Sequence, residues 1–214
     1  MPWIKANDPQ VSSIFTGRYT WGMAKTLAPT RDRILKAAAS LFQSLGVKAV
    51  SVDAIAGKAG LTKRSVYYHF RSKDDLITAY LEARDEPNLA LFQRWFAQAE
   101  GGIADKVAAV FNQLAASARH PKWKGCGFLR TSVELVDRPG HPAVVAGRRH
   151  KKHVEAWFAG MFAERLDESA AAELGRQIML LLDGGFAVTL LHRDPSYLES
   201  AGAAAAILVR TSIA

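Results

Sequence analysis

The sequence predicts an all-α fold of about nine helices, on three observations. Alternation of apolar and polar residues with β-branched enrichment is sustained nowhere along the 214 residues. Apolar residues recur instead at i, i+3, i+4 and i+7 from Thr30 onward, the period of a helix with one buried face. Capping residues and glycine or proline stops divide this pattern into segments of helix length. With 49% hydrophobic and 22% charged residues, the composition is that of a globular chain rather than a disordered one.

Residues 1–28 mix Pro, Gly, Asn, Ser and isolated aromatics without a period and read as a flexible arm. Thr30 is placed to cap a first helix with Ile34, Leu35, Ala38, Leu41, Phe42 and Leu45 on its inner face and Gly46 as a left-handed stop. Ser51 caps a short second helix that runs through Ile55, Ala56 and Lys58 to Gly60, with Asp53 near its positive end. Thr62 caps a third, Lys63–His69. Ser72 caps a fourth, with Asp75 three residues on as a carboxylate form of the capping box. The fourth helix carries Leu76, Ile77, Tyr80 and Leu81, then Leu91, Phe92, Trp95 and Phe96. Pro87 between these groups predicts a kink or a new start. Gly101 and Gly102 end that stretch. Ile103, Val107, Val110, Phe111 and Leu114 define the next helix, which reaches toward Pro121. Beyond a loop at 122–125, Cys126-Gly127-Phe128-Leu129 leads into a helix read from Val133, Leu135 and Val136 and broken at 139–142. Two long helices follow, at about 143–166 and 168–192, and Pro195 opens a last one ending near Arg210.

Formal net charge is +8, and its placement says more than its size. Residues 1–75 hold 12 Lys and Arg against 5 Asp and Glu, whereas residues 76–214 hold 16 against 15. A basic end joined to a neutral remainder points to a polyanion partner for the first third of the chain. The lone cysteine, Cys126, excludes an internal disulfide framework and fits a reducing compartment. No uninterrupted apolar run approaches the roughly 20 residues of a bilayer span, and the start of the chain lacks the apolar core of a secretory signal. The expectation is a cytoplasmic protein with no membrane partner.

The spacing within residues 51–70 fits two helices crossing steeply over a short turn. Such a helix-turn-helix needs a small residue at the crossing, a glycine-tolerant turn, and apolar residues tying both helices to a third. Ala56 supplies the contact, Gly60 the turn, and Ile55, Leu61 and Val66 the inward face. Between those positions the third helix presents Lys63, Arg64, Ser65, Tyr67, Tyr68 and His69, side chains suited to phosphate oxygens and base edges in a major groove.

One set of residues carries more than spacing: Arg33-Ile34-Leu35, Ala38-Ala39, Leu41-Phe42, Gly46, Ser51-Val52-Asp53-Ala54-Ile55-Ala56, Ala59-Gly60-Leu61-Thr62, and Ser65-Val66-Tyr67-Tyr68-His69-Phe70 with Lys73 and Leu76. In these the stretch from Thr30 to Tyr80 resembles the N-terminal domain of the tetracycline-repressor (TetR) family of bacterial transcription regulators. The resemblance implies a DNA-binding domain over 29–75 and a helical ligand-binding and dimerisation domain over 76–214. It further implies a ligand-responsive repressor that holds a palindromic double-stranded operator as a homodimer. By the same resemblance Ser51, Thr62, Lys63, Arg64, Ser65, Tyr67, Tyr68, His69 and Lys73 face the operator, with Ser51 and Lys73 on phosphates. Lys63-Arg64 is more basic than the small or polar residues often found there, which bears on the operator sequence read.

In the remainder, Phe92, Trp95, Phe96, Phe111, Trp123, Cys126 and Phe128 are candidate walls for a hydrophobic or aromatic effector, or else plain core. Helices 143–166 and 168–192 are the candidate dimerising pair. Ala146, Gly147, Ala156, Ala159, Gly160 and Ala163 keep the first slim, and Ile178, Leu181, Leu182, Gly185, Phe186, Val188 and Thr189 give the second a broad apolar face. His150 and His153 stand one turn apart near His141, but Arg148, Arg149, Lys151 and Lys152 oppose a cation there, so no metal site is expected. No cofactor or catalytic residue is expected either: the chain has no phosphate-cradling glycine loop, zinc-protease motif or nucleophile elbow. Two other classes stay open on the residues alone. One is a small all-α enzyme using Cys126 or the histidines; the other is an architectural DNA-binding protein without an effector.

Overall fold

The computed structural model describes residues 29–214, and the arm expected at 1–28 lies outside them. Nine helices and no strand are found among the described residues: α1 (Thr30–Leu45), α2 (Val52–Ala59), α3 (Lys63–His69), α4 (Lys73–Gln98), α5 (Ile103–Ala118), α6 (Gly127–Glu134), α7 (Pro142–Phe162), α8 (Glu168–His192) and α9 (Ser196–Ser212). They fall into two compact units, one ending at Arg84 and taking in Gly127–Gly147, the other made of Asp85–Cys126 and Arg148–Ala214.

In the first unit, α1 begins without the expected threonine cap. Thr30 is already helical; Pro29 holds the cap position at φ −48°, and its carbonyl accepts from the N–H groups of Asp32 and Arg33 at 2.9 and 3.1 Å. The ring of proline fixes the entry that a side-chain cap would otherwise set. Ile34, Ala38 and Phe42 are buried as their spacing requires, but Leu35 and Leu41 are half-buried and Leu45 is exposed. The buried stripe therefore stops a turn before the helix does. Gly46 then takes φ +85°, ψ 164°, a positive-φ extended conformation rather than the expected left-handed one, which side chains other than glycine's rarely adopt.

α2 and α3 are set by local bonds. Ser51 and Thr62 cap them as expected, each hydroxyl oxygen accepting a backbone N–H at 3.1 Å, from Ala54 and Ser65 respectively. At the end of α2, Gly60 is left-handed, and the Gly60 and Leu61 N–H groups bond back to Gly57 and Ala56, the paired bonds of a Schellman stop. Arg33 reaches across from α1 to donate to the Ala59 carbonyl at 2.8 Å, fixing the angle between those helices. Ile55, Ala56 and Val66 are buried; Leu61 is half-buried.

α4 departs from expectation at its cap, and of the two readings at Pro87, a kink or a new start, the new start is excluded. Ser72 Oγ accepts from the Asp75 N–H at 3.0 Å, but the Asp75 carboxylate accepts from Arg71 N–H at 3.1 Å, one residue before the expected target. The helix then continues as one element through Pro87. One lost backbone bond is tolerated because buried side chains hold each half: Leu76, Ile77, Tyr80 and Leu81 in the first unit, Leu91, Phe92 and Trp95 in the second. α6 corrects a misread face. It ends at Glu134, its buried positions with the residue after it are Phe128, Thr131 and Leu135, and Val133 and Val136 are exposed.

In the second unit α9 lies on α5 at closest approach, where a Cβ on Gly202 would come within 2.7 Å of Phe111 Cβ. α7 stops at Phe162, short of the expected 166, and Asp167 caps α8 by accepting from Ala170 N–H at 2.9 Å. α8 is long and apolar enough to cross a bilayer by length and composition, which the sequence reading did not anticipate. Its contents are those of a core helix: Leu174, Ile178, Leu182, Phe186 and Thr189 are buried within the unit, and Glu173, Arg176 and Asp183 interrupt the apolar run.

Candidate nucleic-acid interface

α3 is seven residues long and buries one of them, Val66. A residue so placed, two turns of backbone bonds and the Thr62 cap are what hold Lys63, Arg64, Tyr67 and Tyr68 in the solvent. Tyr68 is 86% exposed and its ring meets His69 edge-on at 5.2 Å. Phe70, just past the helix, is buried with the Arg31 guanidinium 5.0 Å over its ring. The outward surface is thus phenols and cations on a helix anchored at one side, the chemistry that phosphates and base edges accept from.

The bonds within this surface matter for what it can still do. Ser51 and Thr62 each use an oxygen lone pair for their caps, and Ser51 retains its hydroxyl hydrogen for donation. Ser65 shares a hydroxyl–hydroxyl hydrogen bond with Thr62 at 2.9 Å. Lys63 Nζ donates to Asp53 Oδ2 at 2.8 Å, and this hydrogen bond raises the lysine pKa above its ordinary value, keeping it charged. Lys73 is partly buried and donates to the Lys48 carbonyl at 3.1 Å; burial lowers its pKa. Nearby, Arg138 at 2.8 Å and His141 at 3.2 Å hold Asp74, whose carboxyl the arginine hydrogen bond keeps below the usual range.

Phe92 and Trp95 are buried and stacked on one another at 5.8 Å, and Phe96 meets Trp157 edge-on at the same distance. Phe111 is fully buried under Gly202, and Phe128 is buried in the first unit. Trp123 stacks on Phe186 and lines a cavity of about 350 Å³. Cys126, half-buried, accepts a hydrogen bond from Lys151 Nζ at 3.5 Å, and the same ammonium is paired with Asp183. His150 and His153 converge on Asp85, at 2.8 and 2.9 Å.

Three features escaped the sequence reading. The Lys63–Asp53 pair links positions ten apart, the Arg33 bond to α2 links two helices, and the cavity's polar lining comes from both chain segments of the second unit. For the first, the signal was present: Asp53 and Lys63 both flank the Gly60 turn.

The family described as bacterial regulatory proteins, tetR family, matches residues 34–80. The transcriptional regulator SrpR of Pseudomonas putida is 43% identical over 58 residues, 27% of either chain. The transcriptional repressor BepR of Brucella suis is 28% identical over 195 residues, covering 79% of this chain and 84% of its own. Among the first of the curated relatives the match spans only 27% to 44% of their length. A crystal structure of a TetR-family transcriptional regulator from Streptomyces coelicolor superposes with a TM-score of 0.74 at 27% identity, covering 86% of this chain and 96% of that one.

Proposed function

We propose that this chain, similar over residues 34–80 to the tetR family of bacterial regulatory proteins and over most of its length to TetR-family structures, is a cytoplasmic DNA-binding repressor of that family that holds a palindromic operator as a homodimer and lets go when a small molecule binds. Residues 29–75 form the DNA-binding domain and residues 76–214 the regulatory one. The observation that carries this reading is α3, which buries Val66 alone and turns Lys63, Arg64, Tyr67 and Tyr68 to solvent. Lys63 and Arg64 are donors for guanine O6 and N7, and the tyrosines for phosphates or thymine methyl contacts.

Two such helices must stand about 34–36 Å apart to enter successive major grooves. α8 supports the dimer with Leu180 and Leu191, which are 67% and 77% exposed, and α9, packed beside α8, adds Tyr197 and Ile207. On α7 the exposed positions include Arg148, Arg149, Lys152 and His153 beside Val145, Ala156 and Gly160, so the exposed apolar residues of α8 and α9 favour that pair over α7 with α8.

Binding of Arg64→Ala and Lys73→Ala to single-base operator variants tests the reading. Arg64→Ala is expected to lose about 1–3 kcal/mol at the base it reads and to relax specificity there, whereas Lys73→Ala weakens every sequence alike. Unchanged specificity in Arg64→Ala together with unchanged affinity in Lys73→Ala overturns it.

A further inference from the structure

We propose that the cavity beside Thr189 is the effector site and that it takes small aromatic carboxylates. This rests on the ligand-responsive reading above and adds the chemistry of the ligand. The cavity, of about 350 Å³, lies within the second unit, between the turn that follows α5 and the end of α8. That volume is at the small end of the range for organic ligands, about 300–1,000 Å³.

Its polar lining is made of donors. Arg119, His120, Thr189 and Arg193 border it, and no carboxylate does. Thr189 is 1% exposed, yet its Oγ1 has no hydrogen-bond partner among the described residues. A threonine inside a helix usually satisfies itself on the carbonyl four residues back, so a buried hydroxyl left unbonded at a cavity wall calls for a polar group from a ligand. His120 Nδ1 accepts from Lys122 N–H at 3.1 Å; the neutral ring therefore carries its proton on Nε2 and donates from there. Arg119 is paired with Glu199 at 2.7 Å, an exposed pair, whereas no ion pair engages Arg193 among the described residues, so Arg193 meets the ligand's charge without giving up a partner. Arg193 stops α8 in a left-handed conformation, φ 56°, ψ 31°, on the turn into α9.

The apolar side of the cavity is flat. Trp123 is buried and stacked on Phe186 with centroids 6.3 Å apart and planes at 17°, and Pro121 and Pro195 flank it. Two guanidinium side chains and no carboxylate among the lining residues select an anion, and the aromatic stack at the wall selects a planar ring. An inorganic anion uses only the first, and a neutral hydrocarbon only the second. The carboxylate accepts from the Arg193 guanidinium, the Thr189 hydroxyl and His120 Nε2–H, while the ring lies along Trp123.

Titration calorimetry on the full chain without DNA, using 1-naphthoate and its neutral isostere 1-naphthamide, tests this. Naphthoate is expected to bind one per chain, with naphthamide at least tenfold weaker. Arg193→Gln, a change at an exposed residue, removes that tenfold preference by weakening naphthoate far more than naphthamide, and Thr189→Val weakens naphthoate several-fold with little change in volume. Equal affinity for the two compounds, no binding of naphthoate at millimolar concentration, or an unaltered preference in Arg193→Gln overturns the proposal. Failure of naphthoate to release operator DNA from protein that does bind it would sink the ligand-responsive reading instead, leaving the site intact.

Discussion

Lys63 and Asp53, in the first unit, meet at 2.8 Å with 52% and 65% of their side-chain surfaces in water. In the second unit His150 and Asp85 meet at the same distance with 3% and 15% exposed, and Lys151 and Asp183 are paired at 19% and 30%. The distances are alike and the consequence is opposite. Lys63 and Lys151 are charged, whereas the buried His150 is neutral and donates to the Asp85 carboxylate. An exposed pair contributes little to folding and is readily given up to a phosphate, whereas a buried pair cannot be opened without leaving a charge in a poor solvent. Lys63 is therefore available to a partner, while Lys151 and Asp183 hold the fold.

This contrast is broken first at the buried end. Burial holds the His150 pKa down at about 4 against an ordinary 6.5, although its hydrogen bond to Asp85 pulls the other way. The unfolded chain takes up a proton near pH 6.5 that the folded chain refuses until about pH 4. Stability is therefore full above pH 6.5 and is lost as pH falls toward 4, by about 3 kcal/mol. Asp74, whose carboxyl is lowered, titrates below that window. Urea unfolding from pH 7.5 to 4 should show the loss, and His150→Gln should flatten it.

Next in size is Lys151→Ala, which strands Asp183 in a half-buried position. Breaking a fully buried pair costs roughly 3–5 kcal/mol, and the partial exposure here reduces the expectation to about 2. A urea midpoint unchanged from wild type would show that pair to be ornamental. In the first unit, Thr62→Ala removes the cap of α3 and is expected to cost about 1 kcal/mol. DNA affinity should fall with it, because the same seven-residue helix carries the interface.

Smallest in stability is Asp53→Asn. No measurable change in the urea midpoint is expected, but freeing Lys63 should tighten DNA binding and steepen its dependence on salt. Weaker DNA binding would mean that Asp53 positions Lys63 rather than competing for it.

How much of this was legible depends on the reach of the forces involved. Ser51, Gly60 and Thr62 act within a few residues of chain, and α2 and α3 sit where those residues say. Pro29 displaced Thr30 as a cap because a fixed φ does the same work as a hydroxyl and leaves no polar signature. α6 was misread because Val133 and Val136 are as apolar as Phe128 and Leu135, and packing against the rest of the first unit decides which face is covered. Aromatic type alone could not separate a core stack such as Phe92 on Trp95 from a cavity wall such as Trp123. Thr189 and Arg193 join Arg119 and His120 only through the fold, and no local spacing announces them.

The central claim is that α3 reads a specific duplex. Fluorescence anisotropy with labelled DNA from the region upstream of the protein's own gene, against a shuffled duplex at about 0.15 M salt, tests it most directly. The account predicts a preference of about a thousandfold or more for the upstream DNA, lost in Arg64→Ala, with two chains per duplex. Weak and equal binding to both duplexes would contradict it.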